Sequence, residues 1–520
     1  MTAVVQSPVV DSAPQASKPT PPPGPAFGVR LAIGLLGVLL AAMMSGLNSR
    51  LPSLGEADFL GAMGFSSDQG SWITTWYEAG ELMAMPFACW LSITFSLRRF
   101  QIIAQIGVIT IAVFLPFIQN SELFMGLRFV QGYFAGSLVP VLMMSALRFL
   151  PLSIRLHGLA LYAMTATLAP NVAVWLAALF LDKIHDWRWL YWHVIPLGLL
   201  SISFVYYGIP KLPQMRSRIK EANYLGAFCA VFGIIALTIT LTQGIRMDWL
   251  NSSFIRGTAM IATGLLVLFL WSEFHHPTPF MRLQLLSKRN LGLGFTLFFA
   301  LLIVLASGVS MPLQLLAQTQ GFRMEQLASI GLWIGLPQIF LGSVVAFLLY
   351  QSWVDARVLF SIGLACIGSA CLLASNVTSE WMTAQFVTAQ VLQAIGQPMA
   401  VVCLLFLATS VVQPMEGPFV SGIINTLRAL GTMVGGVLIG QIMVVRNQFH
   451  FEDLLAHWNN ASIYETQVHT NAYWAGELAK QAGVLSGEDI FIGLGVAAFV
   501  MIPLVMCLMY IPAPKVVKPA

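Results

Sequence analysis

Residues 128–140 read RFVQGYFAGSLVP. The only charge in this stretch is Arg128, and the apolar run around it extends from about residue 123 to 148. A helix of about 20 predominantly apolar residues crosses the hydrocarbon core of a bilayer, so the stretch predicts a membrane-spanning helix with an arginine inside it. A second stretch, QVLQAIGQP at 390–398, has the same pattern: Gln393 aligns with Gln131, and each is followed by small residues and a proline. The loops SLRRF (96–100) and WVDAR (353–357) correspond in the same way. Two related halves around a central cavity are the architecture of secondary transporters.

Working outward from these two helices, the same length rule yields fourteen expected spans: 31–53, 70–95, 101–118, 123–148, 157–181, 190–210, 223–243, 254–273, 291–316, 327–350, 358–375, 382–410, 418–445 and 490–511. The expected fold is an all-α polytopic membrane protein. A disordered, proline-rich leader (1–29) precedes a six-helix bundle (30–210). A two-helix insertion with its linkers (211–290) and a second six-helix bundle (291–512) follow, then a short tail (513–520). Composition points the same way. Of the 520 residues 57% are hydrophobic and only 9% charged, with mean hydropathy +0.79, against about a quarter charged in soluble domains. So little charge cannot coat a water-facing surface, and the excess of +4 is too small to point to nucleic acid. With the N-terminus placed in the cytoplasm, sixteen lysines and arginines fall inside. Seven (Arg50, Lys183, Arg188, Arg246, Arg323, Arg446 and Lys480) fall outside. The positive-inside rule therefore puts both termini in the cytoplasm, in a multi-pass protein of the inner (plasma) membrane.

Charges inside a bilayer cost on the order of a few kcal/mol unless paired or hydrated, so each requires a reason. SWITTWYEAGELMAMPF (71–87) carries Glu78 and Glu81, three residues apart and hence on one helical face. Two carboxylates on one face repel when both are ionised, which makes the pair a natural proton-binding site. Arg128 stands at a depth similar to Glu78, and Arg50 leaves the first span on the same side. The three predict an outer charge network. Arg428, near the middle of its helix, and Trp76, on the turn with Glu78, are expected to face a substrate cavity. Gln131, Gln393 and Asn425 are polar at helix depth and suit either substrate contacts or helix–helix hydrogen bonds. The six cysteines all lie in apolar runs, and His450, His457 and His469 are too scattered to hold a metal. No metal or cofactor is expected, and the absence of GxSxG or HExxH in a span argues against an intramembrane enzyme.

Four stretches in order give a resemblance. RFVQGYFAG (128–136) is similar to the fourth-span RxxQG signature of the EmrB/QacA-type, fourteen-span drug:proton antiporters (DHA2 branch) of the major facilitator superfamily. DWRWLYWHVIPLG (186–198), HPTPFMRLQLLSKRN (276–290) and NTLRALGTMVGG (425–436) are similar to further segments of that branch. The resemblance implies a secondary exporter of small amphipathic compounds. The proton gradient would be its energy source, Arg128 would join the paired Glu78 and Glu81 in proton coupling through the family's proton-relay helix, and Pro170 would belong to a fifth-span gating motif. It also implies a periplasmic membrane-fusion adaptor and an outer-membrane channel as partners. A polar segment, 446–489, is expected to be a long outer loop with a short amphipathic helix in ETQVHTNAYWAGELAKQAGVL (465–485), where the adaptor would dock. Four departures stand against the pattern, one of them Arg282, which stands where an Asp is common. Met43 occupies the place of the usual first-span acid, and SLRRF replaces the family's glycine-containing loop. In APNVAVWLAALF (169–180) Pro170 remains, but Ala173, Val174, Ala177 and Ala178 replace the glycines and second proline. These departures keep a same-fold importer or facilitator as the alternative.

Overall fold

The computed structural model describes residues 27–151, 153–413, 415–461 and 471–514, and most of the leader and of the tail lies outside them. The helices are α1 (Val29–Leu54), α2 (Glu56–Met63), α3 (Ser67–Thr94), α4 (Leu97–Phe114), α5 (Ser121–Gly136), α6 (Leu138–Phe149), α7 (Arg155–Ala178), α8 (Trp189–Trp192) and α9 (Val194–Gly208). They continue with α10 (Tyr224–Gly244), α11 (Ser253–His275), α12 (Arg289–Leu305), α13 (Ser310–Gln320), α14 (Met324–Leu349), α15 (Ala356–Ala374), α16 (Val387–Thr409), α17 (Gly417–Ala461) and α18 (Asn471–Met506). Each of the fourteen expected stretches is helical. Among the described residues, thirteen runs are long and apolar enough to cross a membrane. The run outside those thirteen is α3, whose 28 residues include Asp68, Glu78 and Glu81.

Local chemistry sets where the helices start and break. Ser66 caps α3 through a reciprocal capping box with Gln69, and Asn120, Asn223 and Asp355 cap α5, α10 and α15 with their side-chain oxygens. A proline helps to break the seventh expected core span between α12 and α13. Pro312 has no N–H for the carbonyl of Gly308, four residues earlier, and the Gln390 side chain donates to that carbonyl at 2.9 Å instead. The expected outer loop 446–489 takes a different form. Helix α17 runs on to Ala461 and α18 begins at Asn471, so most of the segment extends two spans. Aromatic rings pair across the two helices, with Trp458 and Trp474 4.2 Å apart. At its base Arg446 and His450 both hold Asp489, at 2.6 and 2.7 Å. Residues 465–470 of the expected amphipathic helix lie outside the described residues.

Helix α3 packs along α5, and α7 along α14. Both contacts need glycine. A Cβ at Gly132 or Gly136 on α5 would overlap the carbonyl oxygens of Tyr77 or Glu81 on α3, and one at Gly331 on α14 would overlap that of Asn171 on α7. The insertion α10–α11 lies beside α3 and α17. Gln243 donates to Thr75 at 2.6 Å, and Trp249 to Gln441 at 2.6 Å.

Candidate functional site

Between the first group of helices and α17 lies a cavity of about 140 Å³. Four helices build it. Helix α1 supplies Ser49 and Arg50, α3 supplies Glu78 and Glu81, α7 supplies Thr165, Ala166 and Pro170, and α17 supplies Arg428 and Thr432. The three-residue spacing does place both carboxylates on one face, and they share this cavity with two guanidiniums. A second cavity, about 130 Å³, shares Arg50, Ala166, Pro170 and Thr432 and reaches Ser310, Gln314 and Gln397 of the second half. Pro170 lines both. Its missing N–H frees the Ala166 carbonyl, a backbone acceptor on a residue that also lines both. With both glutamates ionised the four charges cancel. One bound proton leaves the cavity net positive.

The cavity is closed at one end by a seam on α17. Arg428 donates to the Thr165 hydroxyl at 2.8 Å, Tyr162 donates to Asn425 Oδ1 at 2.8 Å, and Ser421 donates to the Pro140 carbonyl at 2.6 Å. Residues 421, 425 and 428 follow the i, i+4, i+7 spacing of a single helical stripe. At the opposite end, Arg323 faces Asp182 at 3.4 Å and Asp58 at 3.7 Å, and Lys183 pairs with Glu325 at 2.9 Å. These pairs cross from α2, or from the helical turn Leu179–Lys183 that follows α7, to the start of α14.

The structure divides the residues singled out from sequence. Arg50, Glu78, Glu81, Pro170 and Arg428 come together at the cavity, and Asn425 sits one turn below in the seam. Arg128 does not join them. It is 2% exposed, lies over the Tyr77 ring at 4.0 Å, and donates to Gln131 Oε1 at 2.6 Å. The expected network of Arg50, Glu78 and Arg128 is therefore split by Tyr77, whose hydroxyl accepts from Asn48 at 3.1 Å. Gln131 donates to the Val108 carbonyl inside the same bundle. Trp76 also lies away from the cavity, against Phe129 at 5.8 Å. Two residues along a helix turn the side chain through about 200°, which sends Trp76 away from Glu78. Gln393 lies within a chain of amides instead of on the cavity wall. It donates to Ser307 at 2.9 Å and accepts from Gln397, which accepts from Gln338, which accepts from Asn171 of the first half at 3.5 Å. Sequence reasoning missed Ser49, Thr165, Thr432 and Gln397. Hydroxyl residues in helices usually bond their own backbone, as Thr432 does to Arg428 and Ala429, so nothing distinguished these positions.

A polytopic helical bundle whose helices enclose a charged cavity is the architecture of a membrane transporter family. The chain belongs to the major facilitator superfamily, whose description matches residues 26–444. Its curated relatives include the multidrug export protein EmrB of Haemophilus influenzae, 24% identical and covering 90% of this chain and 93% of that one. The fatty acid resistance protein FarB of Neisseria gonorrhoeae is 22% identical over 92% of this chain and 96% of its own. Among solved structures, the human organic anion transporter MFSD10 aligns with a TM-score of 0.55 at 15% identity, covering 91% of this chain and 99% of that one. The proton:xylose symporter XylE aligns with a TM-score of 0.55 at 12% identity, covering 94% and 97%. These two similarities concern the fold alone. The relatives fall in the EmrB-type branch that the motifs implied, and the chain is a multi-pass protein of the cell's inner membrane.

Proposed function

We propose that this chain exports small amphipathic organic compounds by alternating access, driven by proton influx, in the manner of a multidrug-type antiporter. One observation carries the reading: Glu78 and Glu81 share a cavity between the two halves with Arg50 and Arg428. Protonation of a glutamate releases an arginine from its electrostatic partner, and Arg428 is hydrogen-bonded across the seam through Thr165. A proton gained or lost in the cavity thus acts on the contact that keeps one end shut. Export by relatives named as multidrug exporters supports the direction. Both termini are cytoplasmic in this reading, so the Tyr162–Asn425 end faces the cytoplasm and the Arg323–Asp182 end faces outward. The paired extensions of α17 and α18 then project outward, and they are the surface proposed to meet a periplasmic adaptor leading to an outer-membrane channel.

A same-fold importer or facilitator is the second reading, and α7 favours it. Beyond Pro170 the positions of the lost glycines and second proline are filled by Ala173, Val174, Ala177 and Ala178, all buried. Proteoliposomes separate the two. Antiport predicts that an imposed proton gradient drives a fluorescent lipophilic cation uphill, and that collapsing the gradient stops it. Flux that only equilibrates the compound, unaffected by the gradient, would establish the facilitator.

A further inference from the structure

At the end of the bundle that carries the described chain termini, a further cavity of about 620 Å³ lies outside the central site. That volume is within the roughly 300–1,000 Å³ range of small-molecule sites. Its wall comes from α3, α6, both linkers of the insertion and the start of α17, and most of it is apolar: Cys89, Trp90, Met144, Phe280 and Phe419. Trp90 and Phe280 meet edge to face at 5.2 Å. Three guanidiniums, Arg148, Arg218 and Arg282, stand in the same wall. Among the described residues none of them closes a salt bridge. The acid near Arg282, Glu416, is committed elsewhere, accepting from Lys288 Nζ at 2.7 Å and from the Gln413 amide at 3.0 Å. Arg218 and Arg282 instead lie against aromatic rings, of Trp90 at 5.6 Å and Phe419 at 4.6 Å. An apolar chamber lined by aromatics, whose wall holds three guanidiniums that close no salt bridge among the described residues, with only Glu221 acting on Arg218 through space, is complementary to an apolar chain carrying one anionic group. Guanidinium forks are the groups that bind carboxylates and phosphates bidentately.

We propose that this cavity binds a single-chain anionic amphiphile, a fatty-acyl carboxylate. The chain lies among Cys89, Trp90, Met144 and Phe280, and the head group sits between the arginines. The site is distinct from the central cavity and does not depend on proton antiport. Because its wall joins α6 to α17 beside the Ser421–Pro140 bond, it is complete only while that seam is closed.

The test uses the purified full-length protein in phosphatidylcholine nanodiscs with a photoreactive palmitate and its methyl ester. Cross-links are mapped by mass spectrometry. The carboxylate is expected to label the peptide around Cys89–Ile93 or Phe280. Replacing the three arginines (Arg148→Gln, Arg218→Gln, Arg282→Gln) should weaken carboxylate labelling there by roughly tenfold, in keeping with the loss of charge-assisted bonds, and leave the ester unchanged. Met144→Trp fills the chamber without touching its charge and should abolish labelling by both. Size-exclusion profiles check that each variant is folded. Labelling confined to the central cavity, or unaltered by the triple replacement, overturns the site. If nanodiscs containing phosphatidylglycerol suppress palmitate labelling, the occupant is the membrane lipid and the single-chain assignment falls.

Discussion

Arg128 shows how aromatic rings and an amide help hold a charge in a membrane helix. Its guanidinium lies over the Tyr77 ring at 4.0 Å, approaches Tyr191 at 5.5 Å and donates to Gln131. Lysine keeps the charge and loses the plane. Arg128→Lys should therefore lower the melting temperature in detergent, by a loss of about 2 kcal/mol, the scale of a desolvated cation–π contact. An unchanged melting curve would mean that positive charge alone suffices. Ser96 holds φ at 74°, a left-handed conformation that costs a side-chain-bearing residue about 1–2 kcal/mol, so Ser96→Gly should raise stability by a fraction of that. On the seam-closed end, the Lys288 ammonium beside Glu416 holds its carboxyl below the usual carboxylate range. A depressed acid contributes stability that is present above its unfolded pKa, about 4.3, and is lost as pH falls through its lower folded value. The pair is partly exposed, so Glu416→Gln should cost at most about 1 kcal/mol at pH 7, and the difference should vanish in acid. The paired carboxylates were legible in the sequence because i, i+3 spacing fixes a shared face. The separation of Arg128 from them was not, because it depends on how α5 is rotated against α3 and on the ring of Tyr77 between them.

Among the elements, the contact between α7 and α14 answers a question raised by the sequence. The glycines absent from 173–178 on α7 matter less for close approach than the loss suggested, because the partner supplies its own: Gly331 and Gly335 sit against Asn171. A motif read on one helix misses a gap filled from the other. Gly331→Ala should force the two helices apart and cost about 1–3 kcal/mol, the usual range for overpacking, and Gly136→Ala should do the same between α5 and α3. Thermal unfolding of the two variants in detergent checks both. The helices themselves were legible from apolar length. The continuation of α17 and α18 beyond the expected bilayer was not, because hydropathy reports where lipid is and says little about where a helix ends. The Trp458–Trp474 ring pair and the Arg446–Asp489–His450 cluster help to keep this polar stretch helical.

At the scale of the whole molecule, both ends of the bundle are crossed by side-chain bonds. One is shut by Arg428–Thr165, Tyr162–Asn425 and Ser421–Pro140, and the other is crossed by the pairs of Arg323 and Lys183. Tyr162→Phe together with Ser421→Ala removes two of the three seam bonds, each worth about 1 kcal/mol. In a background whose other cysteines are replaced, this double change should speed maleimide labelling of Cys89, which is 3% exposed and faces Pro140 beside the seam. The repeat of Gln131 and Gln393 was readable as two halves. How the halves meet was not, since it depends on side chains such as Tyr162 and Thr165 that carry no motif. The central claim is that the glutamate pair couples protons to substrate. The most direct measurement follows the pH inside proteoliposomes with a trapped dye while a transported cation is added at zero gradient. Wild type is predicted to move protons opposite to the compound, and Glu78→Gln with Glu81→Gln to exchange the compound without moving protons. Proton movement undiminished in the double variant would contradict the account.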